Sequence, residues 1–355
     1  MNITFRWFGR ENDTVSLNDI KQIPGVKGIV WALHQLPPGV VWDEKEIEDE
    51  VNYIKSHGFH ADIVESVNIH EAIKIGNKDR DQYIANYKQT IKNLGKHGVK
   101  VICYNFMPVF DWVRTNMREP LPDGSTALFY EKEKVEHIDI RSMADGVLGS
   151  SDMTLPGWEP EKIEQLEAIF KEYEGITEET LWDNLSYFLH EVLPVAEESG
   201  ITLAIHPDDP PWSVFNLPRI VKNEADLKRL LSISDSPSHG ITYCSGALGA
   251  NPHNDTVRMV KKFADRSPFM HIRNIKIFEN GDFIETSHKT SDGSIDVKGI
   301  MEYLSEINYE GYIRPDHGRH IWNESSRPGY GLYDRALGVM YLHGLWDAYQ
   351  QRRRK

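Results

Sequence analysis

Positive charge is scarce in this chain. Its 40 lysines and arginines face 54 aspartates and glutamates, for a formal net charge of −14. Such a balance repels polyphosphate, and the one dense basic run, Arg352-Arg353-Arg354-Lys355, reads as a solvated tail. Nucleic acid is therefore not an expected partner. No stretch approaches the ~18 uninterrupted apolar residues of a membrane span, and Met1–Arg6 is not a cationic segment leading into an apolar run. Neither a membrane partner nor a secretory signal is expected. Cysteine is limited to Cys103 and Cys244, too few for a disulfide framework, which fits the reducing cytoplasm. Also missing are low-complexity tracts and any Gly-x-Gly-x-x-Gly turn after an apolar run, which argues against a doubly wound dinucleotide-binding sheet.

What is present is a rhythm. Short apolar runs at Ile3–Phe8, Val26–Leu33, Ala61–Val67, Val99–Phe106, Ile201–His206, Gly240–Cys244, Phe269–Ile275 and Gly311–Asp316 read as eight buried strands. Helical spacing lies between them. Ile47, Val51 and Ile54 mark a helix ended by Gly58, and Tyr83, Tyr87, Ile91 and Leu94 one ended by Gly95. Leu181, Leu185, Leu189 and Val192 mark another, which Pro194 should kink or end early. Val297, Ile300, Met301 and Leu304 follow, and Leu337, Tyr341 and Leu345 suggest a last helix closing a ring. Eight strand-helix units predict an α/β fold, a (β/α)8 TIM barrel, with all 355 residues in one domain.

Residues 111–160 break the rhythm with Pro120, Pro122, Gly124, Gly146 and Pro156 and no sustained period. Following the fourth strand, they predict an enlarged βα loop over the barrel mouth. Phe110, Trp112, Phe129, Tyr130 and Trp158 favour a lid or substrate wall over a disordered insertion.

Parallel strands put their carboxyl ends at one mouth, where barrel enzymes carry their chemistry. Here the fifth strand ends at His206, the sixth at Cys244, the seventh carries His271 and the eighth ends at Asp316. Alone, each has a plainer reading: a buried small thiol, a hydrogen-bonded core imidazole, a turn former. Together they lie 38, 27 and 45 residues apart, about one βα unit each, so four consecutive strands would offer a divalent-metal ligand at one level. His317 and Tyr330, the latter in the Gly-rich stretch Arg327–Gly331, are candidate proton carriers; second roles as an orienting imidazole and a packing aromatic stay open. Arg273 shares a strand face with His271 and would bind a substrate carboxylate or compensate Asp316, while Arg6, Asn105 and Glu65 lie near other strand ends and are candidates for holding sugar hydroxyls.

With these residues the chain resembles the mannonate dehydratases of the xylose-isomerase-like barrel superfamily. The resemblance runs over nearly the whole sequence. It is carried by Phe5-Arg6-Trp7-Phe8-Gly9, Tyr104-Asn105-Phe106-Met107-Pro108, His206-Pro207-Asp208-Asp209-Pro210, Tyr243-Cys244-Ser245-Gly246 and Arg314-Pro315-Asp316-His317-Gly318. It implies that His206, Cys244, His271 and Asp316 bind a divalent metal, usually Mn(II), and that His317 and Tyr330 match the acid and base positions. It also implies a reaction, loss of water from D-mannonate to give 2-dehydro-3-deoxy-D-gluconate, in glucuronate catabolism. By ligand softness a thiolate with two imidazoles would suit Fe(II) or zinc at least as well as manganese. A homodimer is the default assembly.

Three other readings compete. An isomerase or epimerase on the same barrel would be expected to place more carboxylates where Cys244 stands. An endonuclease IV-like enzyme should present a basic groove. A non-catalytic sugar-acid binder would leave mannonate unchanged.

Overall fold

The computed structural model of the protein describes residues 1–137 and 166–353. Eight parallel strands close into a barrel: β1 (Asn2–Arg6), β2 (Val26–Trp31), β3 (His60–Glu65), β4 (Val101–Tyr104), β7 (Thr202–Ile205), β8 (His239–Cys244), β9 (Phe269–His271) and β12 (Tyr312–Arg314). Each overlaps one of the apolar runs. The runs are continuous rather than alternating because helices cover the outside while side chains fill the inside, so both faces are buried, as all four residues of β4 are. Val30, Ile63, Val101, Cys103, Ala204 and Phe269 form the plug inside the barrel, and a much larger cluster joins its outer face to the helices.

Two helices run past their expected ends. The helix Arg80–Lys96 includes Gly95, and the left-handed residue that breaks the chain is Gly98, at φ 85°. Gly95 has a packing role instead: a Cβ there would stand 2.8 Å from the Ser199 carbonyl oxygen, just beyond a neighbouring helix. That neighbour, Glu178–Glu198, continues through Pro194. The proline leaves only the His190 carbonyl without its helical donor, and His190 is on the exposed side. On the opposite side Leu185, Phe188, Leu189, Val192 and Ala196 are wholly buried and hold the helix against the barrel. The last helix, Leu332–Arg353, buries Asp334, Arg335, Gly338, Val339 and Leu342, while Leu337 faces solvent. No helix among the described residues is long and apolar enough to cross a membrane.

The stretch after β4 is more regular than its prolines and glycines suggest. β5 (Asn116–Pro120) and β6 (Thr126–Tyr130) form an antiparallel hairpin, and β10 (Ile275–Ile277) and β11 (Phe283–Glu285), which follow β9, join it in a second sheet ordered β10-β11-β6-β5. Tyr130 stacks on Phe283 at 5.0 Å between ring centroids, and Phe110, Trp112 and Tyr130 are buried. Trp158 and the other residues from 138 to 160 lie outside the described part. Two βα connections, after the fourth and seventh barrel strands, thus fold together over the mouth.

Candidate active site

Barrel register sets the level of the site. Cys244 pairs with His271 and His271 with Arg314, so three neighbouring strands end on one layer, and Glu65 pairs with Cys103 across the ring. His206 is one residue beyond β7, and Asp316 two beyond β12, where its backbone takes a left-handed φ of 60°.

The structure brings His206, Cys244 and His271 together, with one ligand atom from each lying within 4.8 Å of the other two. His206 Nε2 and His271 Nδ1 face each other at 3.2 Å. The His206 Nδ1 is 2.7 Å from the Pro207 carbonyl, to which it donates, so its Nε2 presents a lone pair. On its far side His271 Nε2 lies 3.6 Å from Glu65 Oε2. With a proton on that nitrogen, His271 also turns a lone pair toward the cluster. Two converging lone pairs and a buried sulfur are a donor set that suits a divalent cation. Asp316 stands at its edge, with Oδ2 3.5 Å from the Cys244 sulfur and 3.9 Å from His271 Nδ1. Its oxygens are held by Arg273 Nε at 2.6 Å and Arg314 Nη1 at 2.8 Å. Burial opposes charge on Asp316, yet Arg314 and its other cationic neighbours outweigh burial and keep the carboxyl well below its ordinary value.

Beside this cluster a cavity opens at the mouth, lined by Arg6, His34, Glu65, Asn68, Asn105, Trp112, His206, Arg314, Asp316, His317 and Tyr330 among others. His317 and Tyr330 sit side by side: His317 Nε2 is 3.1 Å from the Tyr330 hydroxyl. Burial pushes the Tyr330 phenol above its ordinary value, so it keeps its proton. Arg6 reaches the cavity while donating to the carbonyls of Trp7 and Val30, and its Nη2 meets His34 Nε2 at 2.9 Å. Asn105 lines the same wall and accepts from the Met107 amide through Oδ1.

Arg273 behaves differently from a substrate ligand. It is 1% exposed, lines no part of this cavity, and spends its donors on Asp209, Glu285 and Asp316. It is the internal counter-charge to Asp316, the second of its two expected roles.

Several residues at the site escape a reading by strand ends. Arg314 was within reach, because it is two residues before Asp316 on the same face. Asp209 lies in the His206–Pro210 run, and its carboxylate is gripped by Arg114 at 2.8 Å and Arg273 at 2.7 Å. Glu285 is the less obvious one. It is wholly buried at the end of β11, and its Oε1 accepts from Arg114 at 2.8 Å, from Arg273 and from His317 Nδ1 at 3.3 Å. The dipeptide Asn280-Gly281 between Ile275–Phe278 and Asp282–Glu285 is the hairpin signal that points to it.

Comparison with known proteins gives the family. The sequence model of the D-mannonate dehydratase (UxuA) family matches residues 1–355. The chain belongs to that family. It is 64% identical to the mannonate dehydratase of Bacillus subtilis (strain 168) over 355 residues, covering 100% of this chain and 99% of that one. The crystal structure of mannonate dehydratase from Streptococcus suis serotype2 superposes with a TM-score of 0.90 at 41% identity, covering 99% of this chain and 95% of that one. A xylose isomerase-like TIM barrel protein from Mycobacterium smegmatis, solved in complex with magnesium, shares the fold alone: TM-score 0.52 and 13% identity, over 94% of this chain and 89% of that one. As a mannonate dehydratase the protein is a hydro-lyase, and its substrate is a sugar acid.

Proposed function

We propose that the protein removes water from D-mannonate to give 2-dehydro-3-deoxy-D-gluconate, as a cytoplasmic, metal-dependent step of glucuronate breakdown. The observation that carries this reading is the His317 and Tyr330 pair, 3.1 Å apart in the wall of a cavity that adjoins the His206, Cys244 and His271 cluster. Elimination across C2 and C3 needs a base for the C2 proton and an acid for the departing C3 hydroxyl, since hydroxide leaves poorly unaided. One member of the pair takes the C2 proton as the C2–C3 double bond forms and the C3–O bond breaks. The other protonates the leaving oxygen, so that water departs. A proton passed along the bond between them restores both, and the enol becomes the 2-keto acid by tautomerisation.

His206, Cys244, His271 and Asp316 are the residues that would hold the metal, with Mn(II) expected and Fe(II) or another divalent ion accommodated by the same donors. A divalent cation there supplies positive charge that acidifies the C2 proton of a carboxylate substrate. Arg6 and Asn105, both on the cavity wall, orient the sugar acid; Arg273 supports Asp316 from behind. That the Mycobacterium smegmatis barrel binds magnesium lends a divalent ion general support.

The test follows 2-keto-3-deoxy acid formation by protein stripped of metal and then reloaded with Mn(II), with D-mannonate and D-altronate in parallel and metal content measured throughout. Metal-dependent product from mannonate and none from altronate is expected. Folded, Mn(II)-loaded protein that leaves both acids unchanged would end the proposal.

A further inference from the structure

The catalytic pair rests on a buried lattice of charge that the elimination itself does not use. Asp209 and Glu285 alternate with Arg114 and Arg273: Arg114 bridges both carboxylates, and so does Arg273. All four are at most 2% exposed. A lattice so desolvated contributes little net stability compared with an apolar core of the same shape. Its geometry has another consequence. One of its oxygens, Glu285 Oε1, also meets His317 Nδ1 at 3.3 Å.

We infer that Glu285 is a positioning residue for the elimination, holding His317 in the tautomer with the proton on Nδ1 so that Nε2 offers its lone pair on the Tyr330 side. This rests on the reading of His317 and Tyr330 as the proton carriers. The geometry fixes the Nδ1 side of the ring. An ionised carboxylate only accepts, so the ring nitrogen facing Glu285 must carry hydrogen. Burial alone would raise the Glu285 carboxyl, but Arg273, the His317 hydrogen bond and Arg114 together hold it down at about 2, so it stays ionised throughout the neutral range. With the hydrogen on Nδ1, it is Nε2 that faces the Tyr330 hydroxyl, at 3.1 Å, whereas Asp316 Oδ1, at 3.8 Å, is beyond hydrogen-bond reach. His317 is thereby the member of the pair set to take the C2 proton, and Tyr330 the member set to give one. Arg114 and Arg273 serve Glu285 in turn: two guanidiniums on one oxygen fix where that oxygen sits.

The test uses Glu285→Gln and Glu285→Asp in the Mn(II)-loaded enzyme, with metal content and thermal unfolding recorded for each. The glutamine can present its NH2 to Nδ1 and so favour the wrong tautomer. A loss of kcat on the order of 10²–10⁴ is expected, with KM within about twofold, metal content unchanged, and a larger isotope effect with 2-deuterated mannonate. Aspartate, which keeps the charge, should recover part of kcat. A lattice that only stabilises the fold would instead lower Tm or metal content and leave kcat per folded, loaded site alone. Full turnover with an unchanged isotope effect in both variants overturns the inference, and if His317→Asn is inactive in the same assay, the reading of the pair survives. Should His317→Asn keep its turnover, that reading itself falls. A measurement on the unsubstituted chain guards against misfolded variants. In 15N-histidine NMR the signal lost in His317→Asn must belong to an Nδ1–H tautomer, and an Nε2–H signal refutes the assignment.

Discussion

His239 opens β8 at the end of the strand opposite Cys244, wholly buried, with Nδ1 donating to the Ser234 carbonyl and Nε2 without a partner among the described residues. Burial pushes its imidazole down to about 4; the Ser234 bond opposes this, and Arg266, which grips the His239 carbonyl, reinforces it. In the unfolded chain the same ring titrates near 6.5. The unfolded state therefore binds the proton first. Stability is undiminished above pH 6.5, falls as pH drops below it, and stops falling once the folded form also protonates near pH 4. The gap is worth about 3 kcal/mol in full and about 2 kcal/mol at pH 5. For 355 residues an unfolding entropy of about 2.1 cal/mol/K per residue converts 2 kcal/mol into about 3 °C of Tm. His239→Asn keeps a side-chain donor for Ser234 and cannot titrate. Scanning fluorimetry of both proteins at pH 7.5 and pH 5 should show the variant losing about 3 °C less between the two. His320, also held near 4, lowers both proteins alike, so the difference isolates His239. Equal losses in the two proteins would refute the reasoning.

Other expectations concern the site. His317→Asn and Tyr330→Phe should each cut turnover on the order of 10²–10⁴ with metal content unchanged, as read by product formation and elemental analysis; wild-type turnover in either variant removes that residue from the chemistry. Cys244→Ala should lower Mn(II) occupancy after equilibrium dialysis, and a fully loaded variant contradicts its role as ligand. Gly246→Ala places a Cβ 2.5 Å from the Arg273 guanidinium, which must then shift from Asp316 and Glu285; a loss of about 10–100-fold in activity is expected, and kinetics identical to wild type would show that Arg273's placement does not matter.

Much of the barrel is legible in the sequence because a strand buried on both faces writes itself as a continuous apolar run, and each such run here overlaps a barrel strand. The ends of helices are less legible. Gly95 and Pro194 look like stops, but their helices are held by burial against the barrel and against each other, a tertiary term that outweighs the local preference. Strand ends at one mouth made His206, Cys244 and His271 findable, since topology alone brings them together. Arg114, Asp209 and Glu285 were hidden for a physical reason. Two of them lie on segments outside the eight-strand repeat, and the separations between bonded members run from 12 residues for Arg273 and Glu285 to 171 for Arg114 and Glu285, so no single spacing records the lattice. Arg273 is visible in the sequence but its job is not, because a period of two says which way a side chain points and not which charge it meets.

The ring closes between its first and last strands: β1 hydrogen-bonds β12, and Arg335 donates to the Arg6 carbonyl from 329 residues away. On the ribosome β1 emerges first, and its outer edge stays unpaired until β12 arrives. Through that interval the growing sheet has two raw edges, each able to recruit a strand from another chain. The strand that seals the edge also leads directly into Asp316 and His317. An incomplete chain thus keeps its raw edges and lacks the proposed ligand and proton carrier, and both conditions end with the same event.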